Sequence, residues 1–562
     1  MIRARALSRT LLLLAGILLI ASVLRFYRLG TVPVSLYWDE AAIAYNAYSI
    51  LTTGKDEYGT PLPLLFRSFD DYKTPGIIYL TTIPIALFGL NEFSARFTSA
   101  FIGTFTVLAV YGLTYELTKL RNEENVRQLK SQKIGLLAAL FFAISPWSVQ
   151  FSRANFEANA GLFFVAFGFY YFLKGFKKGH LLIVSALLLG LSLYFYRSIQ
   201  LVVPILLFAS CVIFIQKLLH INWKVLLFYG VVLITLTIPI ARAMTTPQGM
   251  VRYKQTTIFA ISELDKKYVE SSQKILAAGN NLLTRLIYNR RLVPVKALIG
   301  SYISNWDPAF LFVNAGGNSR STIQGFGLLY LWQLPFFLLG LIFLLRTNGK
   351  LKYFLFLWLL VAPLPTALTT PPRNPLRSLN ILPIMLVIIT QGAWQFTALF
   401  SPFKQKILLL VIALLIGFSQ LAYLRSYYST WSRESASEWA DGYKQALQYV
   451  RDHEAEYEQI VMSGHYWQPY IYAAFYNQYP PDLFQINGSR FSFGKFVFGG
   501  TSWAGEVEFD KKDLVAIAQN KKTLFILTFN EYIAHARQLV TVAEIKSADG
   551  TLMFLAGELS SQ

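Results

Sequence analysis

Eleven runs of 17 to 24 mostly apolar residues recur along the chain, at roughly 8–27, 95–118, 134–150, 158–174, 180–197, 199–216, 224–241, 326–345, 353–370, 379–398 and 406–424. A helix needs about 20 such residues to cross the hydrocarbon of a bilayer, and a helix satisfies its own backbone there. The pattern predicts a polytopic α-helical membrane protein with about eleven spans. Composition agrees: of 562 residues, 54% are hydrophobic and only 15% charged, with mean hydropathy +0.43, too apolar for an ordinary soluble protein of this size. The single cysteine, Cys211, lies within an apolar run, which excludes an internal disulfide and a thiolate cluster. Arg3, Arg5 and Arg9 precede about 15 apolar residues, as in a signal peptide, but no small-residue cleavage site precedes Arg25. The first run is therefore read as a retained span.

A net charge of +20 would suggest nucleic acid in a soluble protein; here its distribution matters more. Basic residues gather in alternate connections: Arg121 to Lys133, Lys174 to Lys178, Lys217 to Lys224, Arg346 to Lys352, and Lys404 to Lys406. With the basic N-terminus, all of these can be cytoplasmic under the positive-inside rule. The other connections then face outward: a first external loop, 28–94, the turns 150–158 and 196–200, a large external loop, 242–325, the turn 370–378, and everything after Tyr423. Gly76 to Leu90 is apolar but has about 15 residues and contains Pro84. A span there would invert every later loop, so it is assigned to an interfacial or re-entrant helix.

These features divide the chain into a membrane domain, 1–424, and a soluble extracytoplasmic domain, 425–562. From Arg425 onward there are 12 Lys and Arg against 16 Asp and Glu, the reverse of the membrane part. Patterning predicts a small α/β fold: a helix over Asp441 to Tyr457, strands at Gln459 to Met462 and Thr523 to Phe529, and a hairpin over Val542 to Leu555 turning at Ala548-Asp549-Gly550.

The external segments hold most of the polar residues that could do chemistry. The first external loop begins Tyr37-Trp38-Asp39-Glu40-Ala41, and further on Phe69-Asp70-Asp71-Tyr72-Lys73-Thr74-Pro75 precedes the short apolar helix. The next external turn carries Arg153-Ala-Asn155-Phe-Glu157-Ala-Asn159. Arg197, Arg252 and Arg377 recur on the same side, where charges beside apolar spans are costly and usually functional. Aromatic residues make up 16% of the chain, and Tyr37, Trp38, Tyr45, Tyr72, Trp306, Trp431, Trp439, Tyr466 and Trp467 fall in external segments. Sugar faces stack on such rings, and interface belts use them equally. No Asp-x-Asp occurs, Glu263-Leu-Asp265 stands alone, and no metal-ligand spacing surrounds His465. Asn487-Gly488-Ser489 is read as a turn.

The Asp39-Glu40 pair after the first span, with Lys73-x-Pro75 before the next apolar segment, resembles the protein O-mannosyltransferase and aminoarabinose transferase superfamily. The likeness continues at Phe93-Ser-Ala-Arg96, Ser145-Pro146, Ser152-Arg153, Tyr194-Phe-Tyr196-Arg197, Tyr302, Phe310-Leu-Phe312, Gly316, Pro363-Leu-Pro365, Arg377-Ser378 and Asp441-Gly442-Tyr443. Together these motifs are similar to bacterial members. The resemblance implies the GT-C glycosyltransferase fold, with an acidic residue of the first external loop activating the acceptor.

On that resemblance the expected catalytic residues are Asp39, as general base, and Glu40, holding a neighbour or the acceptor. An inverting transfer needs a base within hydrogen-bond reach of the attacking group. The leaving polyprenyl phosphate gains negative charge and needs fixed cations: Lys73 first, then Arg252, Arg377, Arg197 and Arg153. Arg96 ranks lower, as a cap on a span. Tyr37, Trp38, Tyr72, Asn155, Glu157, Tyr196 and Trp306 are the candidate substrate-binding residues. The implied activity moves one sugar, mannose-like or aminoarabinose-like, from a polyprenyl-phosphate donor to a lipid, protein or cell-wall acceptor. It takes place on the outer face of the plasma membrane, without metal or other cofactor and without nucleic acid. The alternatives are a lipid-linked glycan transporter or flippase, and a polymerase or ligase using pyrophosphate-linked oligosaccharides. The gathering of charge in one set of loops, outside the spans, favours surface chemistry over passage through the bilayer.

Overall fold

A computed structural model describes residues 2–121, 127–279, 281–347, 349–500 and 509–560; part of the basic connection between Arg121 and Lys133, at 122–126, lies outside them. Six described helices are long and apolar enough to cross a membrane: Ser8–Phe26, Glu92–Leu120, Trp223–Thr245, Lys350–Ala367, Leu379–Thr397 and Pro402–Glu434. A seventh candidate is a bent pair. The other four expected spans coincide with Glu157–Gly175, Leu181–Ser192, Arg197–Ile213 and Leu334–Arg346.

The bent pair follows from one dipeptide. Helix α5 (Arg127–Ile144) gives way to α6 (Pro146–Arg153) at an angle of 54°, because Pro146 has no N–H to offer and holds Ser145 out of the helical region at φ −59°, ψ 129°. The carbonyls freed at the break need donors. Arg25, at the end of α1 (Ile2–Phe26), is wholly buried there and donates to Ala143 O at 3.0 Å and to Ser148 Oγ at 2.7 Å.

The first external loop folds into two helices and a hairpin. Helix α2 (Trp38–Thr53) has no counterpart in the sequence expectations. Its first turn carries Asp39 and Glu40, which suit the positive end of the helix dipole, and Glu40 Oε2 accepts from the Tyr37 amide at 3.4 Å. Strands β1 (Phe66–Ser68) and β2 (Asp71–Lys73) pair antiparallel with Phe66 opposite Lys73. The chain then enters α3 (Gly76–Phe88), whose 13 residues span only about 20 Å. It packs on α2 and on α4 (Glu92–Arg121). The start of α3 is fixed: Gly76 N donates to Tyr194 O at 2.8 Å and Thr74 Oγ1 to Phe195 O at 2.6 Å. A Cβ on Gly76 would lie 2.9 Å from both the Phe195 ring and the Tyr194 oxygen. This close approach sets where Lys73 stands.

The C-terminal part builds a six-stranded mixed sheet on β3 (Gln459–Met462), β4 (Ser492–Phe493), β5 (Phe496–Phe498), β6 (Thr523–Leu527), β7 (Leu539–Lys546) and β8 (Leu552–Leu559), in the order β4-β5-β3-β6-β8-β7. Strand β3 runs parallel to β5 and β6, whereas β8 is antiparallel to β6 and β7. The expected helix appears as Gly442–His453. The final hairpin is longer than expected at both ends and turns through Gly550 at φ 88°. Helices Pro469–Tyr476 and Pro481–Asn487 were not anticipated.

Helix α2 joins the two parts. One apolar core includes Ala41, Ala44 and Tyr45 of α2, Ile77 and Ile78 of α3, and Ile471, Phe475, Phe484 and Phe554 of the C-terminal part. At its margin Tyr45 Oη donates to Tyr479 O at 2.9 Å, Tyr58 and Tyr470 hydroxyls meet at 3.2 Å, and Arg490 pairs with Asp70 at 2.8 Å.

Under this junction Glu57 is fully buried, its amide donating to Asn46 Oδ1 at 3.1 Å and its Oε1 accepting from Asn46 Nδ2 at 3.3 Å. Burial pushes its carboxyl up to about 8, against the opposing hydrogen bond from Asn46. The folded state therefore keeps a proton that the unfolded chain releases near 4.5, and stability falls as pH rises between those values. Glu57→Gln should melt close to the parent at pH 5 and clearly above it at pH 8.5, as read by thermal unfolding of the purified protein. An equal offset at both pH values would refute this titration.

Candidate active site

Residues from six places in the chain line a cavity of about 520 Å³ at the junction. Helix α2 supplies Trp38 and Asp39 to it, β2 supplies Asp71 and Lys73, and the start of α7 (Glu157–Gly175) supplies Glu157. The large external loop adds Arg252, Gln255 and Arg320, the segment after Thr370 adds Arg377, and the C-terminal part adds Trp467 and Gln468.

At the floor, Lys73 Nζ lies 3.0 Å from Asp39 Oδ1 and 3.2 Å from Glu157 Oε1. Burial by itself would lower the Lys73 pKa; attraction from Asp39, Glu157 and Asp71 outweighs it and raises the ammonium above its ordinary value. Asp39 is the most open of the three, with 28% of its side chain exposed against 13% for Lys73 and 9% for Glu157. Arg252 Nη1 pairs with Asp71 Oδ2 at 3.3 Å. Arg377 Nη1 donates to Thr369 Oγ1 at 2.7 Å and Thr370 O at 2.9 Å. Burial depresses the Arg377 pKa, with Tyr196 acting against the shift and Arg252 with it. The lining thus brings Lys73 and four arginines, Arg252, Arg320, Arg373 and Arg377, together with the carboxylates of Asp39, Asp70, Asp71 and Glu157, one positive charge in excess and suited to an added anion.

Seven of the residues singled out from sequence meet here: Tyr37, Trp38, Asp39, Lys73, Glu157, Arg252 and Arg377 all line the cavity. Trp467, one of the external aromatic residues, lines it as well, whereas Glu40, Arg153, Arg197, Asn155, Tyr72, Tyr196 and Trp306 lie outside the lining. Of the two roles expected of Glu40, holding a neighbour or the acceptor, its complete burial suits the first. Its Oε1 faces Arg96 Nε and accepts from the Asn155 amide, each at 3.0 Å. Arg96, also wholly buried, donates to the carbonyls of Leu29, Pro33 and Ser35 as well. It is a clamp across four segments, more than a cap on a span. Arg153 is buried and spends its guanidinium on the carbonyls of Leu24, Arg25 and Val32 and on Tyr427 Oη. Arg197 donates to Gly249 O at 2.7 Å and Tyr72 O at 2.8 Å, so it braces β2 against the helix Pro247–Thr256. Asn155 Nδ2 is taken by Thr81 Oγ1, Trp306 packs on the apolar core of the membrane part, and Tyr196 lies beneath Arg377; Tyr72 joins them outside the lining.

Sequence reading overlooked Arg320 and Gln468. Arg320 follows Gly316 and Gly317, which adopt φ 58° and 73°; a glycine pair just before a lone arginine in an external loop was the available signal. Its guanidinium lies 4.0 Å from the Trp38 ring centroid. Among the described residues, no group of three or more His, Cys, Asp or Glu converges as a metal-binding set.

Among the described residues, Arg96 is the cation within ion-pair distance of Glu40. Arg96→Leu strands a carboxylate in a low-dielectric interior and should cost about 3–5 kcal/mol. The checking measurement is thermal unfolding in detergent: a variant as stable as the parent would mean that the pair contributes nothing.

Residues 72–241 match the dolichyl-phosphate-mannose-protein mannosyltransferase family. A search of curated proteins finds no match. Among solved structures, the chain is similar to ArnT from Cupriavidus metallidurans bound to undecaprenyl phosphate, with TM-score 0.52 and 11% identity over 99% of this chain and 98% of that one. It is also similar to the archaeal oligosaccharyltransferase AglB from Archaeoglobus fulgidus in complex with an inhibitory peptide and a dolichol-phosphate, with TM-score 0.53 and 14% identity over 98% of this chain and 74% of that one. At such identities the likeness is one of fold. By sequence over residues 72–241 and by its multi-pass GT-C fold over nearly the whole length, the chain resembles the superfamily of protein O-mannosyltransferases and ArnT.

Proposed function

We propose that this protein is a membrane glycosyltransferase that transfers a single sugar from a polyprenyl-phosphate donor to an acceptor at the extracytoplasmic face, with inversion and with Asp39 as general base. The observation that carries this reading is the Asp39–Lys73–Glu157 cluster, with distances of 3.0 and 3.2 Å, in one cavity with Arg252 and Arg377. The family matched and the two structural neighbours, whose structures hold polyprenyl phosphates, support the donor class. In this reading the membrane domain is 1–424 with eleven spans and a cytoplasmic N-terminus, and residues 425–562 form the extracytoplasmic domain.

The chemistry follows from charge. The acceptor's hydroxyl or amine attacks the anomeric carbon, its proton passes to the Asp39 carboxylate, and the bond from that carbon to the phosphate oxygen breaks with its electrons going to the leaving polyprenyl phosphate. Fixed cations facing the phosphate stabilise the charge it gains. Lys73, Arg252 and Arg377 fill that role; Arg197 supports it only through β2. Before the donor binds, Lys73 is neutralised by two carboxylates, so a phosphate competes for the ammonium and loosens its hold on Asp39. Donor arrival thereby frees the base. The sugar is mannose-like or aminoarabinose-like, and neither a metal nor another cofactor enters the scheme.

Asp39→Asn keeps the size of the side chain and removes the base, and should lower transfer from a radiolabelled polyprenyl-phosphate sugar by about 10²–10⁴. Transfer at the parental rate would overturn the mechanism. Lys73→Gln should chiefly raise the donor KM. Unchanged donor dependence would remove Lys73 from the phosphate site.

A further inference from the structure

We propose that Trp38, Arg320, Trp467 and Gln468 form the acceptor subsite, and that it takes a sugar unit bearing an anionic group, a phosphate or a carboxylate; the term acceptor rests on the transferase activity proposed above. All four residues line the main cavity. Trp38 precedes Asp39 in α2, so a sugar set against the edge of this indole lies beside the general base.

The charge requirement comes from Arg320. Its Nε donates to Asn318 Oδ1 at 3.2 Å, and its carbonyl accepts from Gln150 Nε2 at 2.6 Å. Its Nη1 is buried and has no hydrogen-bond partner. Among the described residues, no carboxylate lies within ion-pair distance of this guanidinium, which rests instead over the Trp38 ring at 4.0 Å and 5.6 Å from the centroid of Tyr37. A buried donor on a cationic group left unpaired is costly. An incoming anion removes that cost.

Arg320 also stands on a different scaffold from the cations assigned to the donor phosphate. Its loop is tied to α6 through Gln150 and to the segment entering the C-terminal part, where Trp431 Nε1 donates to the carbonyls of Ser319 and Thr322, each at 3.1 Å. Lys73, Arg252 and Arg377 hang from β2, from the helix Pro247–Thr256 and from the loop after Thr369. Two separately mounted cationic groups in one cavity suit two anions, the donor phosphate and a charge on the acceptor.

The C-terminal part completes the subsite at a conformational cost. Trp467 and Gln468, consecutive and neither a glycine, hold φ of 73° and 52°. Left-handed backbone at such residues persists where the surroundings enforce it, and clusters at ligand sites. The result is an indole stacked on Trp38, with centroids 5.4 Å apart and planes inclined by 15°. The edges of the paired indoles bound the subsite with apolar surface, while Arg320 and Gln468 offer donors to a sugar's substituents.

The test titrates the purified full-length protein with glucose, glucuronate and glucose 6-phosphate, reading binding by ligand-observed NMR. At least one charged sugar should bind about tenfold more tightly than glucose, and the better of the two distinguishes carboxylate from phosphate. Arg320→Gln should abolish that advantage, and Arg320→Lys should retain part of it. Equal binding of all three sugars overturns the proposal. So does an advantage that survives Arg320→Gln, which would put the anion at the donor site. Binding needs no turnover, so failure of the transferase reading would appear separately, as absent transfer by a protein that still prefers the charged sugar.

Discussion

The ion pair between Arg96 and Glu40 holds together the end of the helical part that borders the cavity. Both side chains are wholly buried, and the pair gathers the loop after the first span, helix α2, helix α4 and the entry to α7 through one guanidinium and one carboxylate. In a low-dielectric surrounding neither charge is tolerable alone, so these segments fold to one arrangement or lose several kilocalories per mole. Asp39 is the next residue along the helix. Because successive residues of a helix point about 100° apart, the same backbone that drives Glu40 inward turns Asp39 toward the cavity.

The cavity is built on charge that is only partly compensated. Lys73 is balanced by Asp39 and Glu157, and Arg252 by Asp71, while Arg377 and Arg320 rest on oxygens and rings. Excess cation beside apolar spans is expensive, and such charge is usually functional. Trp38 and Phe69, which line the cavity, pack against the apolar core shared by α2, α3 and the C-terminal part, so that part is built into the site.

Much of this was legible in the sequence because a bilayer is a stringent solvent. Apolar runs and basic connections located helices, and the strands Gln459–Met462 and Thr523–Leu527 were visible as short buried runs. The break at Ser145–Pro146 was hidden inside a single expected span, although a proline at that position foretells it. Helix α2 was missed because it is buried on most sides between two domains; Ala41, Ala42, Ile43, Ala44 and Tyr45 are all covered, which leaves no amphipathic period to read.

The site divides along the same line. Sequence by itself determined the chemistry available on the external side: an acid pair, a lysine before a short helix, several arginines and many aromatic rings. Only the tertiary structure decided which of them face each other. Arg153 and Arg377 look alike in sequence, yet one closes three carbonyls in the interior and the other borders the cavity. Arg320 gave almost no local signal and lies over Trp38 because distant segments fix its loop. A long side chain's role is set by the partners within about 4 Å of its tip, and those partners come from parts of the chain that local pattern cannot bring together.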